Sequence, residues 1–153
     1  MMKRKLLAAI VATSAASLFM LEAAAQAKPE VLVKQRKAAM TLQGKYLGPM
    51  GAMAQGKIPY NASVVQRNAG FLEALSKMPW DGFDPSTKGE KSAALPAVWD
   101  KPDEFKKAAE RFENEAAKLA QVSKGGDEAA VKAQIGATAK SCGGCHETFR
   151  EKQ

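Results

Sequence analysis

Histidine is nearly absent from this 153-residue chain, occurring once, at position 146. One imidazole excludes bis-histidine coordination of a metal within one subunit, and it leaves no second histidine for acid–base work beside it. Cysteine is almost as scarce: Cys142 and Cys145 are the only two. Two thiols three positions apart lie far too close to staple a loop-rich fold. Long alternating runs of β-branched residues are missing, while alanine recurs at helical spacing. Both features favour an all-α fold. Only one long apolar run occurs, so there is no second candidate for a membrane span.

That single run lies at the amino end. Lys3, Arg4 and Lys5 precede an almost wholly apolar or small stretch from Leu6 to Leu21, and Ala25-Gln26-Ala27 offers small residues at a cleavage position. Charge retained in the cytoplasm, an apolar helix in the translocon and small side chains for the protease together make a signal peptide over residues 1–27. The stretch is short for a spanning helix and ends in small residues, so stable membrane insertion is not expected after cleavage. The bacterial periplasm is the expected compartment.

The formal charge is +7, and removal of residues 1–27 leaves 20 basic and 15 acidic residues. The basic residues are interleaved with acids and form no stripe. Together with export, this argues against a nucleic-acid partner. A mildly basic face suits an acidic redox protein partner.

Residues 142–146 read Cys-Gly-Gly-Cys-His, the C-x-x-C-H pattern of covalent c-type haem attachment. Two thiols must reach the two vinyl groups on one porphyrin edge. Two intervening residues bring both sulfurs to one side of a helical turn, and the next residue directs its imidazole at iron. The expected cofactor is therefore one covalently bound haem c, held by Cys142 and Cys145 and ligated by His146. A thioredoxin-like dithiol normally opens a helix just after a strand, whereas this motif ends a helical pattern. A zinc site lacks further ligands in the chain. The sixth iron position falls to a methionine, another weak ligand, water or nothing. Met40, Met50, Met53 and Met78 remain as candidates after the export segment.

Four helical stretches follow that segment. The first spans 29–54, opened by Pro29 and Glu30, with Leu32, Ala39, Met40, Gln43, Leu47, Met50 and Ala54 on one stripe. The second spans 62–77 after the capping residue Asn61, with Ala69 and Leu72 on its apolar side. An irregular crossover from 78 to 101 carries Trp80 and Trp99. The third helix runs from the Asp100-Lys101-Pro102-Asp103 opening to 123, with Phe105, Ala109, Phe112, Ala116 and Leu119 at spacings of three and four. The fourth runs from the cap Asp127 to 150, with small residues Ala130, Ala133, Ala137, Ser141 and Gly144 on one broad face. Short, long and short connections imply an antiparallel up-down-up-down four-helix bundle with haem attachment at its C-terminal end.

With these residues in place, the chain resembles the cytochrome c-prime family, including its low-spin members of the c-556 type. The likeness is carried by Lys28-Pro29-Glu30, Val33 to Met40, Gly56-Lys57, Leu95-Pro96 to Trp99, Phe105 and Ser141 to Arg150, and so covers residues 28–153 as one haem domain. The resemblance implies a periplasmic four-helix bundle, commonly a homodimer, with the proximal histidine at His146. Its distal residue corresponds to Met40, which ligates iron in c-556-like members. In other members this position packs without ligating. The resemblance also implies that Arg150, one turn beyond His146, lies near the proximal haem face, and that Arg36 matches a basic residue that approaches a propionate. The two glycines within the cysteine pair depart from a pattern that often has lysine or alanine there.

The leading expectation is a one-electron carrier with His/Met ligation, in which the protein supplies attachment, axial ligands and a low-dielectric shell. The alternative is a five-coordinate haem protein that binds nitric oxide or carbon monoxide. No distal acid–base group is identifiable, so an enzyme is not expected. Export predicts that protein recovered from the periplasm is cleaved after Ala25 or Ala27, which intact mass spectrometry reads directly. An intact amino end would instead mean an uncleaved anchor.

Overall fold

The computed structural model describes residues 27–152, and all but Ala27 of the expected export segment lies outside them. Helix α1 spans Pro29–Ala54, opened by Pro29 with Glu30 in its first turn. It continues through Gly44, Gly48 and Pro49, and Pro49 lies on the exposed side. Its end turns at Gly56, whose φ of 70° suits glycine. Helix α2 spans Ala62–Ser76, and Asn61 caps it by accepting from the Val64 N–H at 3.0 Å.

The crossover is more ordered than its proline and glycine content implies. Two 3₁₀ turns, Trp80–Phe83 and Pro85–Thr87, precede a one-turn helix α3 at Ala97–Asp100. Helix α4 then spans Pro102–Val122, and α5 spans Glu128–Phe149. The Asp127 carboxylate caps α5 by accepting from the Ala129 and Ala130 N–H groups. The described residues thus hold five α-helices where four were expected. The fifth arises because Pro96 presets a helical turn that Lys101 and Pro102 end at once, too short a run to leave a periodic pattern.

The long helices close an all-α bundle in which α1 packs on α2 and α5, and α4 packs on α2 and α5. Met50, Val65, Leu72, Phe112, Leu119, Val131 and Ile135 form its core. The α4 stripe is buried as expected, except that Phe105 is only half-buried. On α5 the buried face is rotated from the small-residue face. Val131, Gln134, Ile135, Thr138 and Ser141 point inward, whereas Ala130, Ala133 and Gly144 are exposed. Bulk decides this, because Val131 and Ile135 bury more apolar area than the alanines beside them.

The crossover is tied at several points. Trp99 Nε1 donates to the Phe83 carbonyl at 2.9 Å. Ala94 and Arg150 form an antiparallel bridge, through Leu95 N–H to Phe149 O at 3.0 Å and Glu151 N–H to Ala93 O at 2.9 Å. Gly82 lies so close to α1 that an added Cβ would be 2.6 Å from Arg36 Cβ and 2.9 Å from the Leu32 carbonyl. A Gly82→Ala substitution should therefore destabilise the protein by about 1–3 kcal/mol, the usual cost of overpacking, measurable by denaturant unfolding. An unchanged midpoint would mean that the crossover does not seat against α1.

Candidate functional site

The last two turns of α5 carry Cys142, Cys145 and His146, and the helical spacing places all three on the wall of one cavity of about 590 Å³. The opposing wall comes from α1, through Arg36, Met40, Gln43 and Leu47. Trp80 and Phe83 of the crossover and Phe105 and Phe112 of α4 complete an apolar, aromatic lining. Phe105 is the hub of this lining: its ring meets Phe83 at 4.8 Å, Phe149 at 5.2 Å and Trp80 at 6.0 Å between centroids, all edge to face. Trp80 Nε1 is buried with no hydrogen-bond partner among the described residues.

Burial sets the protonation states. It pushes the Cys142 thiol up to about 11, with the Cys145 charge adding to the effect, and it raises Cys145 too. Both are thiols at neutral pH, the opposite of an activated redox dithiol, in which one sulfur is held as thiolate. Burial lowers the His146 pKa, and the Arg150 charge lowers it further, which favours the neutral imidazole that binds metals. The donor set suits a c-type haem. Two thiols and a neutral imidazole share one turn, an aromatic-lined cavity of the size typical for cofactors stands over them, and Arg36 and Arg150 on the same cavity offer charge to anionic substituents. Among the described residues, no group of three or more His, Cys, Asp and Glu side chains could hold a bare metal ion. No helix of those residues is long and apolar enough to cross a membrane.

The predicted residues converge. Met40, Arg36 and Arg150 line the cavity together with the Cys-His motif. Of the four candidate methionines only Met40 does so. Met50 and Met53 are buried in the core, and Met78 is exposed. Arg36 makes contacts that its sequence position did not reveal. It is 3% exposed, and its guanidinium donates to the Gly82 carbonyl, to Thr87 Oγ1 at 3.0 Å and to Ser92 Oγ at 2.8 Å. It also lies 4.4 Å from the centroid of the Phe83 ring. These partners are neutral, and burial lowers the Arg36 pKa. Gly82, Thr87 and Ser92 were not singled out in the sequence, because small polar residues in a loop resemble any solvated turn. Gln43 was assigned only to the α1 stripe, although a glutamine among apolar stripe positions was a usable signal.

Arg36→Met should lower stability by about 2–3 kcal/mol, since three acceptors lose a charged donor. Arg36→Lys should recover only part of this, because an ammonium cannot reproduce the planar fork. Thermal unfolding of the holoprotein checks both, and full recovery by lysine would show that only the charge matters.

The family model described as Cytochrome C' matches residues 31–150. Cytochrome c' of Rubrivivax gelatinosus is 42% identical over 126 residues, covering 82% of this chain and 98% of that protein. Cytochrome c-556 of Agrobacterium tumefaciens is 32% identical over 121 residues, covering 79% and 98%. Among solved structures, cytochrome c prime from Shewanella frigidimarina superposes with a TM-score of 0.80 at 33% identity, covering 83% of this chain and 99% of that one. A nitric oxide complex of a leucine-to-alanine mutant of cytochrome c prime from Alcaligenes xylosoxidans superposes with a TM-score of 0.77 at 34% identity, covering 84% and 99%.

Proposed function

The chain belongs to the cytochrome c' family and is a haem-binding c-type cytochrome, and from that premise we propose that it binds nitric oxide or carbon monoxide at a five-coordinate haem. The observation that carries this reading is the cavity of about 590 Å³ between α5 and α1, whose α1 wall includes Met40, Gly44 and Leu47 and carries no imidazole or carboxylate. Such a wall can admit a diatomic without supplying a strong sixth ligand. Similar proteins support the reading: variants of cytochrome c prime from Alcaligenes xylosoxidans are known as nitric oxide and carbon monoxide complexes. This reverses the order of preference reached from sequence, where Met40 weighed toward ligation.

In this reading, Cys142 and Cys145 anchor one haem c by thioethers, with His146 as proximal ligand. Arg150 faces its propionates, and Arg36, held by the crossover, adds positive charge to the same cavity. When bound, haem supplies a one-electron change and an axial position for a small ligand. The residues around it orient the group and keep bulk water out: the Phe83, Phe105 and Phe149 rings form an apolar side, while α5 holds both attachment sulfurs and the imidazole on one rigid element.

The assembly we infer has a cleaved export segment at 1–27 and one haem domain at 28–153 in the periplasm. Its four long helices run up, down, up and down, consistent with their short, long and short connections and with the closed ring of pairings. The outward face of α1 and α2 presents Val31, Leu42 and Phe71, the last 46% exposed, which suits a homodimer contact.

One observation favours a second reading: Met40 is the methionine that reaches the cavity. A thioether on iron would make the protein a His/Met one-electron carrier serving redox protein partners. The optical spectrum of the ferrous holoprotein, before and after carbon monoxide, separates the two. Broad high-spin bands converting promptly to a carbonyl spectrum are expected. Sharp, split bands indifferent to carbon monoxide would establish Met40 ligation and electron transfer.

A further inference from the structure

The α1 wall of the cavity carries four polar side chains, and three have their donors committed elsewhere. Arg36 is held by the crossover, Lys37 Nζ donates to the Lys91 carbonyl at 3.0 Å, and Thr41 Oγ1 donates to the Lys37 carbonyl at 2.8 Å. Gln43 differs. It is 7% exposed and lines the cavity one helical turn from Met40. Its Nε2 donates to the Leu75 carbonyl near the end of α2 at 2.9 Å. That bond assigns the amide, because the flipped arrangement would set two oxygens against each other. Oε1 has no partner among the described residues, and it is not sealed off, since the buried side-chain atom lacking a partner is Trp80 Nε1. The open space that the Gln43 side chain lines is the cavity.

We propose that Gln43 sets the ligand preference of this pocket, its Oε1 presenting a fixed carbonyl lone pair to a diatomic bound on the α1 side of the haem. The proposal deepens the gas-binding reading and rests on it. A diatomic ligand of ferrous iron carries partial negative charge on its outer atom, dioxygen the most and carbon monoxide the least. A lone pair facing that atom repels it, and the repulsion is strong in a low-dielectric site. Dioxygen is therefore disfavoured more than nitric oxide or carbon monoxide. The bond to Leu75 makes this a property of the fold, because it stops the amide from rotating to offer its N–H instead.

The test is the infrared stretching band of carbon monoxide in the ferrous holoprotein, wild type against Gln43→Leu and Gln43→Glu. Leucine keeps bulk and removes the lone pair, so the band should move to lower wavenumber. In Gln43→Glu the band should titrate, moving to higher wavenumber as the carboxyl ionises. Gln43→Leu and the ionised form of Gln43→Glu both lose the bond to Leu75, so a merely structural role would move these two bands in the same direction, which overturns the proposal. A leucine band at higher wavenumber would mean that the second Nε2 hydrogen faces the ligand, and this also overturns it. Failure of the wild type to form any carbonyl complex is a different result: it removes the gas-binding reading, and this proposal with it.

Discussion

A buried cation organises the approach to the haem site. Arg36 projects from α1 into the crossover, and a carbonyl and two hydroxyls of that segment converge on its guanidinium. A charge taken out of water must be satisfied, so the 3₁₀ turns at Trp80–Phe83 and Pro85–Thr87 are shaped around it. Gly82 is the residue that permits the approach, since any side chain there would meet the Arg36 stem. Phe83 then lies against the guanidinium face and continues the aromatic lining toward Phe105 and Phe149. One side chain thereby adds to the ties that hold a long connection against the bundle.

The other half of the site is a single helix end. Asp127 starts α5 and Arg150 leaves it in an extended conformation that pairs with Ala94. The crossover therefore touches both walls of the cavity: Ser92 accepts from Arg36 on the α1 side, and its neighbours Ala93 to Leu95 bond the chain at 149–151 just beyond His146. Interactions that are individually modest gain effect here because they close a loop of rigid elements around an apolar space.

Electrostatics within that space follow from burial. The cysteine thiols are held protonated and the imidazole neutral. On the α1 wall most polar donors are turned away toward backbone carbonyls or the crossover, and the Gln43 amide is anchored by its nitrogen. The bonds of Lys37, Thr41 and Gln43 thus tie polar groups of the α1 wall to backbone carbonyls.

Much of this was legible in the sequence. The Cys-x-x-Cys-His spacing names the cofactor chemistry because thioether attachment and axial ligation need those residue types on one helical turn. Asn61 and Asp127 mark helix starts because their side chains satisfy exposed N–H groups, and the α4 stripe shows its buried face because spacings of three and four persist over its length. Other features required the tertiary structure. Helix α3 is too short to be periodic, and the inward face of α5 was decided by which residues could bury the most area. Which of four methionines reaches the cavity, why Arg36 is buried and which carbonyl holds the Gln43 amide nitrogen all depend on contacts between α1 and segments some 30 to 55 positions away. Local pattern determined the elements and the chemistry of the motif. The distal environment was decided only when the crossover and α2 closed against α1, because long-range packing leaves no period in the chain.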